Sequence, residues 1–269
     1  MELQERFCFE QLKVVSLASG SKGNATVVVS GSSALLVDCG VSCKQVLMRM
    51  EAAGLAPLSL KGILITHEHS DHIAGLRVTA QRLKLPVYVS AAASSALRLP
   101  ADIELHSFTP GEPFFLAGFE VEPFRIPHDS VDAVAYLIGR AGRWLGICTD
   151  LGSVTRLVID KLKRCQLLLL EFNHDVGMLL DGPYPWQLKQ RVRSRHGHLS
   201  NEQAGKLLEA VAGPHLEAVL LAHLSEKNNC PELALAAAGD ALSGPQQRRV
   251  RLEVLRQQGP GSIITVGRP

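Results

Sequence analysis

The stretch Ile63-Leu64-Ile65-Thr66-His67-Glu68-His69-Ser70-Asp71-His72 decides how this chain is read. Three consecutive aliphatic residues are a short buried-strand signal, so the polar residues after them stand where a strand ends. Extended backbone sends His67 and His69 to one side, and the following turn brings Asp71 and His72 round to a second point nearby. Imidazoles and carboxylates are ligands for divalent cations, so this one segment can serve two ions. The plainer reading, a solvated polar loop, rarely gathers such a set directly after an apolar run.

On these residues the chain resembles the metallo-β-lactamase-fold hydrolases, and positions elsewhere extend the likeness. Asp38 follows Leu35-Leu36-Val37, His128 follows Ile126-Pro127, Asp150 follows Gly146 to Thr149, and His223 follows Val219 to Ala222. Carried over residue by residue, the resemblance implies that His67, His69 and His128 bind one metal ion. Asp71, His72 and His223 would bind a second, with Asp150 bridging both. Asp38 would orient an imidazole or the loop by hydrogen bonding, and it is counted with Asp71 and His198 among the catalytic residues. Two divalent ions per chain, about 3.5 to 4 Å apart, would lower the pKa of a shared water so that hydroxide attacks a phosphodiester. The ligand set accepts zinc, manganese or iron without choosing among them.

The implied fold is α/β, a four-layer αββα sandwich in a single domain without a β-CASP insertion. The 269 residues and 46% hydrophobic content suffice for one such core. No composition break marks a linker, so residues 13–269 are expected to form the hydrolase domain after a ragged leader over 1–12. Apolar runs such as Leu167 to Leu170 are strand-sized, and the N-terminus lacks a basic-then-apolar signal, which predicts a soluble, cytoplasmic protein without a membrane partner. The six cysteines lack C-x-x-C pairs or the spacing of a secreted disulfide scaffold, and reduced thiols are expected.

In chain order, strands are predicted at Val14 to Ala18, Thr26 to Val29 and Ala34 to Val37, with a glycine-rich turn at Ser19 to Asn24. That turn suits either an anion contact through Ser19 and Asn24 or plain hairpin geometry. Ser42 caps a helix closed by Gly54. A helix from Ile73 to Leu85 is stopped by Pro86. A helix near Ala91 to Leu97, a strand near Ile103 and a hairpin from Pro110 to Ile126 lead to His128. Strands Val134 to Ile138 and Trp144 to Cys148 precede Asp150; a helix spans Val154 to Arg164. Ser200 and Gln203 form a capping box, strand Leu216 to Leu221 delivers His223, helix Pro231 to Leu242 follows, and Arg249 to Leu255 and Ile263 to Val266 close the sheets.

The substrate class rests on the remainder. His198, ahead of a capped helix, resembles the histidine that assists the leaving group in RNase Z-like phosphodiesterases. Leu17 to Ser21, Asn173-His174-Asp175, Tyr184-Pro185-Trp186, Gly197 to Glu202 and His223-Leu224-Ser225 resemble the YycJ/WalJ-like subgroup. That likeness implies a 5′ to 3′ DNA exonuclease linked to DNA repair, with nucleic acid, DNA ends in particular, as partner and mismatch-repair proteins nearby. In it His174 touches substrate; a buried histidine bonded to Asp175 fits equally. Tyr184 and Trp186 stack on a base or, as core packing ahead of a helix, fill space. Net charge of +2 announces no nucleic-acid field, but Lys189 to Arg195 and Lys161 to Arg164 are local basic clusters. The alternatives are a small-molecule hydrolase of thioesters, lactones or cyclic phosphodiesters, and a non-catalytic metal-stabilised module. Oligomeric state is left open.

Overall fold

The computed structural model describes residues 11–55, 59–244 and 249–266. Its strands are β1 Leu12–Ala18, β2 Ala25–Ser30, β3 Ser33–Val37, β4 Ser59–Leu64, β5 Val87–Ser90, β6 Leu105–Phe108, β7 Phe114–Leu116, β8 Phe119–Arg125, β9 Val134–Arg140, β10 Arg143–Cys148, β11 Leu167–Glu171, β12 Ala218–Ala222, β13 Arg251–Val254 and β14 Ile264–Val266. The helices are α1 Cys43–Ala52, α2 Ser70–Ile73, α3 Leu76–Leu83, α4 Arg156–Leu162, α5 Val176–Asp181, α6 Trp186–Val192, α7 Asn201–Val211 and α8 Pro231–Ala241.

Two seven-stranded sheets result, in the orders β14-β1-β2-β3-β4-β5-β6 and β13-β12-β11-β10-β9-β8-β7. Each ends in a parallel run, β3 to β6 in the first and β10 to β13 in the second. Parallel neighbours need long crossovers, and α1, α3, α4, α7 and α8 lie in those crossovers, covering the outer faces. The last strand returns to the first sheet, where Leu12 pairs with Val266.

Three apolar layers hold the four structural layers together. Along β11 the alternation is complete: Leu168 and Leu170 pack outward with Leu162, Leu207 and Ala234 of the helices, while Leu167 and Leu169 pack inward against Val14, Val28 and Leu35 of the other sheet. Val15, Leu17 and Val27 meet Val46, Met50 and Ala80 in the third layer. A strand covered on both faces has no polar side, which is why residues 167–170 are all leucine. The expected αββα sandwich is therefore the observed one.

Local departures have tertiary causes. The helix expected from Ile73 to Leu85 is two, because Gly75 lies flush on the β3 to α1 connection: a Cβ there would fall 1.8 Å from the Val41 carbonyl oxygen, and its N–H donates to Cys39 O at 2.8 Å. The strand expected near Ile103 begins at Leu105, since Ile103 itself packs beneath the helices. The segment Ala91 to Leu97 holds only a 3-10 turn, Ser94–Leu97. Helix α5 was not anticipated; Asp175 caps it by accepting from Met178 N at 2.8 Å. Residues 1–10 of the expected leader lie outside the described residues, and Leu12 already belongs to β1.

Two bonds cross between the sheets at the strand end that matters most. Tyr136, fully buried on β9, donates from Oη to Ile65 O at 2.6 Å, and Val134 N donates to Thr66 O at 3.1 Å. Tyr136→Phe leaves the Ile65 carbonyl without that donor, and a loss of about 1 to 2 kcal/mol is expected in urea unfolding. A change below about 0.3 kcal/mol would show that the cross-sheet bond does not help to hold the loop.

Candidate metal centre

Most site residues leave the fold at the carboxyl end of a strand: Asp38 after β3, Thr66 and His67 after β4, His128 after β8, Asp150 after β10, Glu171 at the end of β11, and His223 after β12, whereas Asp71 and His72 lie in α2 and His198 lies between α6 and α7. Asp38, Asp150 and His223 have φ of 58°, 58° and 56°. Non-glycine residues occupy this left-handed region at a cost, which surrounding structure must offset. The sharp turn it makes aims each side chain into the seam between the sheets.

Two sets of ligand atoms converge there, His67 with His69 and His128, and Asp71 with His72, Asp150 and His223; in each set the atoms lie within 4.8 Å of one another. A third set, Asp150, Glu171, His198 and His223, overlaps the second. All seven residues expected as ligands are thus brought together.

The rings are oriented from behind. His72 Nδ1 donates to Asp38 Oδ2 at 2.8 Å, His67 Nδ1 faces Thr66 Oγ1 at 3.0 Å, and His128 Nδ1 faces Gly197 O at 3.2 Å. His69 Nε2 faces Asp129 O at 3.2 Å, and His223 Nδ1 lies 3.3 Å from Glu171 Oε1. Each imidazole spends one nitrogen outward and turns the other to the centre, the arrangement that fixes tautomer and basicity in metal sites. The inward atoms are poorly served by protein: buried His67 Nε2 and Asp150 Oδ2 have no hydrogen-bond partner, although Asp150 Oδ2 comes within 3.2 Å of His72 Nε2. Buried polar atoms are normally satisfied, and a divalent cation fits these.

Charge is arranged accordingly. Burial opposes ionisation of Asp150, yet His223 and His72 hold its carboxyl well below the usual range. Burial likewise opposes charge on Asp71, and hydrogen bonds with His223 and His72 hold it low. Burial would lower His223 and His72, but Asp150 and Asp71 push His223 up to about 10, and Asp38 and Asp150 raise His72. In the other set burial lowers both His67 and His128, leaving them neutral and ready as ligands.

Sequence reasoning missed Glu171. Fully buried, it accepts from Leu151 N at 2.9 Å and Leu199 N at 3.2 Å through Oε2, and its Oε1 is 2.8 Å from His198 Nδ1. One carboxylate therefore aligns His198 and His223. The only available signal was position, a charged residue ending a wholly apolar strand as Asp38 does.

The tentative substrate residues sit elsewhere than expected. Ser19 Oγ accepts from His223 N at 2.8 Å, and Asn24 braces the glycine turn, with Oδ1 taking Gly20 N at 2.9 Å and Nδ2 3.4 Å from Asp71 Oδ2; both are buried behind the centre. Ser21 is the turn residue that faces the cleft. His174 faces a separate recess and is not bonded to Asp175, whose side chain caps α5. Trp186 is 58% exposed, so core packing does not explain it.

The cleft over the centre has a volume of about 200 Å³; His69, Asp71, His128, Asp150, His198 and His223 line it, with Arg191 from α6 among the cations. Arg191 Nε donates to Asp129 Oδ2 at 2.5 Å. Of the other basic cluster, Lys161 and Arg164 both pair with Glu122 on the outer face, which removes them from the cleft.

Residues 34–224 match the β-lactamase superfamily domain. The chain belongs to the metallo-β-lactamase superfamily of hydrolases. Within that superfamily it falls in the YycJ/WalJ subgroup: it is 37% identical to exodeoxyribonuclease YycJ of Bacillus anthracis over 84% of this chain and 87% of the relative. It is 34% identical to exodeoxyribonuclease WalJ of Streptococcus pneumoniae over 81% and 83%. The metallo-β-lactamase fold protein YhfI of Bacillus subtilis superposes with a TM-score of 0.71 at 19% identity, covering 94% of this chain and 99% of that one.

Glu171→Gln replaces the shared carboxylate. Removing one member of a buried charge network costs about 3 kcal/mol, expected in urea unfolding at pH 7. Burial opposes ionisation of Glu171, yet His198 and His223 hold it down at about 2. A depressed carboxyl stabilises above the unfolded value and loses that contribution as pH falls, so the gap between wild type and variant should be constant from pH 7 to about 5 and narrow below about 4.5. A gap independent of pH down to 3 would contradict this role.

Proposed function

We propose that the protein is a dinuclear-metal phosphodiesterase that shortens DNA strands from the 5′ end, acting in the cytoplasm in connection with DNA repair. The observation that carries this reading is His198 on Glu171 in the same cleft as both ligand sets. Burial lowers the His198 pKa, but Glu171 and Asp150 raise it, with a net upward shift. With Nδ1 committed to Glu171, an imidazolium there can donate from Nε2 to an oxygen leaving phosphorus. An alkoxide leaving group needs such an acid; the thiolate that leaves a thioester has less use for one. Arg191 adds a guanidinium suited to phosphate oxygens. The names of the YycJ and WalJ relatives support the same substrate class.

In this reading His67, His69 and His128 hold one divalent ion and Asp71, His72 and His223 the other, with Asp150 between them; zinc or manganese fits the donors. When bound, the ions lower the pKa of a water and neutralise charge on the attacked phosphate. The chain's own part is placement. Asp38 fixes His72 and, through Thr66 N and Oγ1 at 2.9 and 3.0 Å, the loop that carries His67. Asp71, ionised and open to the cleft, offers carboxylate oxygens that orient the attacking water, and His198 supplies a proton to the departing 3′ oxygen. Free cysteines at 39, 43, 148, 165 and 230 suit a reducing compartment, and no described helix is long and apolar enough to cross a membrane.

The direct test is incubation with 5′- and 3′-labelled single- and double-stranded DNA and RNA in zinc or manganese, beside a generic thioester. Progressive loss of the 5′ label from DNA is expected; turnover of the thioester alone would replace this reading with the small-molecule one. His198→Ala should keep its metal and fold while kcat falls about 10²-fold or more for an alkoxide leaving group and much less for nitrophenolate; equal rates for both would remove His198 from the mechanism. His69→Ala should lose at least one equivalent of metal by elemental analysis, and a variant that keeps two ions per chain would contradict the ligand assignment.

A further inference from the structure

Beside the cleft lies a second recess of about 390 Å³, lined among others by His174, Arg193, Ser200, Glu202, Gln203 and Lys206. One strip of chain walls both: Arg191, Val192, Gly197 and His198 face the cleft, Arg193 and Ser200 the recess. Asn173 stands between them. Its Nδ2 donates to His223 O at 2.9 Å, which leaves its Oδ1 to take the Nδ1–H of His174 at 3.3 Å.

The chemistry of the recess is unspent. His174 is 1% exposed, and its Nε2 has no partner among the described residues. Burial keeps the ring neutral, its pKa down at about 4, so with Nδ1–H committed Nε2 is an acceptor. Lys206 is paired with Glu202 at 2.7 Å, whereas Arg193 is exposed and makes no ion pair among the described residues. A matching ligand therefore needs an anionic group for the guanidinium and an N–H donor for the imidazole. A nucleotide has both, a phosphate and a base edge. The recess volume also falls within the ~300 to 1,000 Å³ of small-molecule sites, which the cleft does not reach.

We propose that this recess is a second nucleotide subsite, with a phosphate on Arg193 and a base N–H on His174 Nε2, while a neighbouring phosphodiester of the same strand occupies the cleft. The claim rests on the phosphodiesterase reading of the cleft. It makes length matter: a strand long enough to fill both places is held better than one that fills only the first.

Steady-state kinetics on a single-stranded dinucleotide and pentanucleotide, over a salt series, test it. Wild type should show a KM at least tenfold lower for the pentanucleotide. Arg193→Gln, an exposed change that spares the fold, should cut that preference to within about twofold and make log KM less steep against log salt by ~0.7, one phosphate contact on a single strand. Arg195→Gln removes the same charge two residues along, outside both cavities, and should keep the preference. A preference unchanged in Arg193→Gln, lost equally in Arg195→Gln, or absent from wild type would overturn the subsite while leaving the cleft assignment intact. If wild type cleaves neither strand, the phosphodiesterase reading itself fails, and the subsite with it.

Discussion

The hydrogen bonds of one buried carboxylate, Asp38, set the frame for the site. Oδ1 accepts from the backbone and hydroxyl of Thr66, and Oδ2 accepts from His72 Nδ1. The first contact locks the end of β4 against β3; the second aims a ring at the centre. Because Tyr136 holds the preceding residue from the opposite sheet, the histidine-rich turn is fixed from both halves of the sandwich. Rigid support of this kind is what a metal centre requires, since small errors in ligand position forfeit affinity.

Much of this was legible in the sequence because its grammar is local. An apolar run followed at once, or after a single threonine, by Asp, His or Glu marks a strand delivering a side chain, and Asp38, His67, Asp150 and His223 all obey it. Glu171 obeys it too, but its function lies in contacts with His198 and His223, 27 and 52 positions away, which no spacing rule reaches. Ser19 and Asn24 show the converse. Their turn looked open to a ligand, yet the fold uses their side chains internally to hold His223 and Asp71. The break at Gly75 was also invisible, since the carbonyl it rests against belongs to a connection more than 30 residues earlier. The basic run on α6 divided by geometry: Arg191 faces the cleft and Arg193 the recess, a distinction that charge counting cannot make.

The electrostatics fit a centre built for cations. Carboxylates held low and imidazoles held high neutralise one another across the second ligand set, while in the first burial keeps His67 and His128 neutral. Helix α6 above them buries none of its residues. Few buried contacts mean low local stability, so this wall of the cleft is able to yield to a substrate.

The central claim is that two cations sit between these rings. Anomalous diffraction from crystals grown with manganese and zinc reads this directly. The account predicts two peaks, one within reach of His67, His69 and His128 and one within reach of Asp71, His72 and His223, both touching Asp150. A single peak, or peaks away from Asp150, would contradict it.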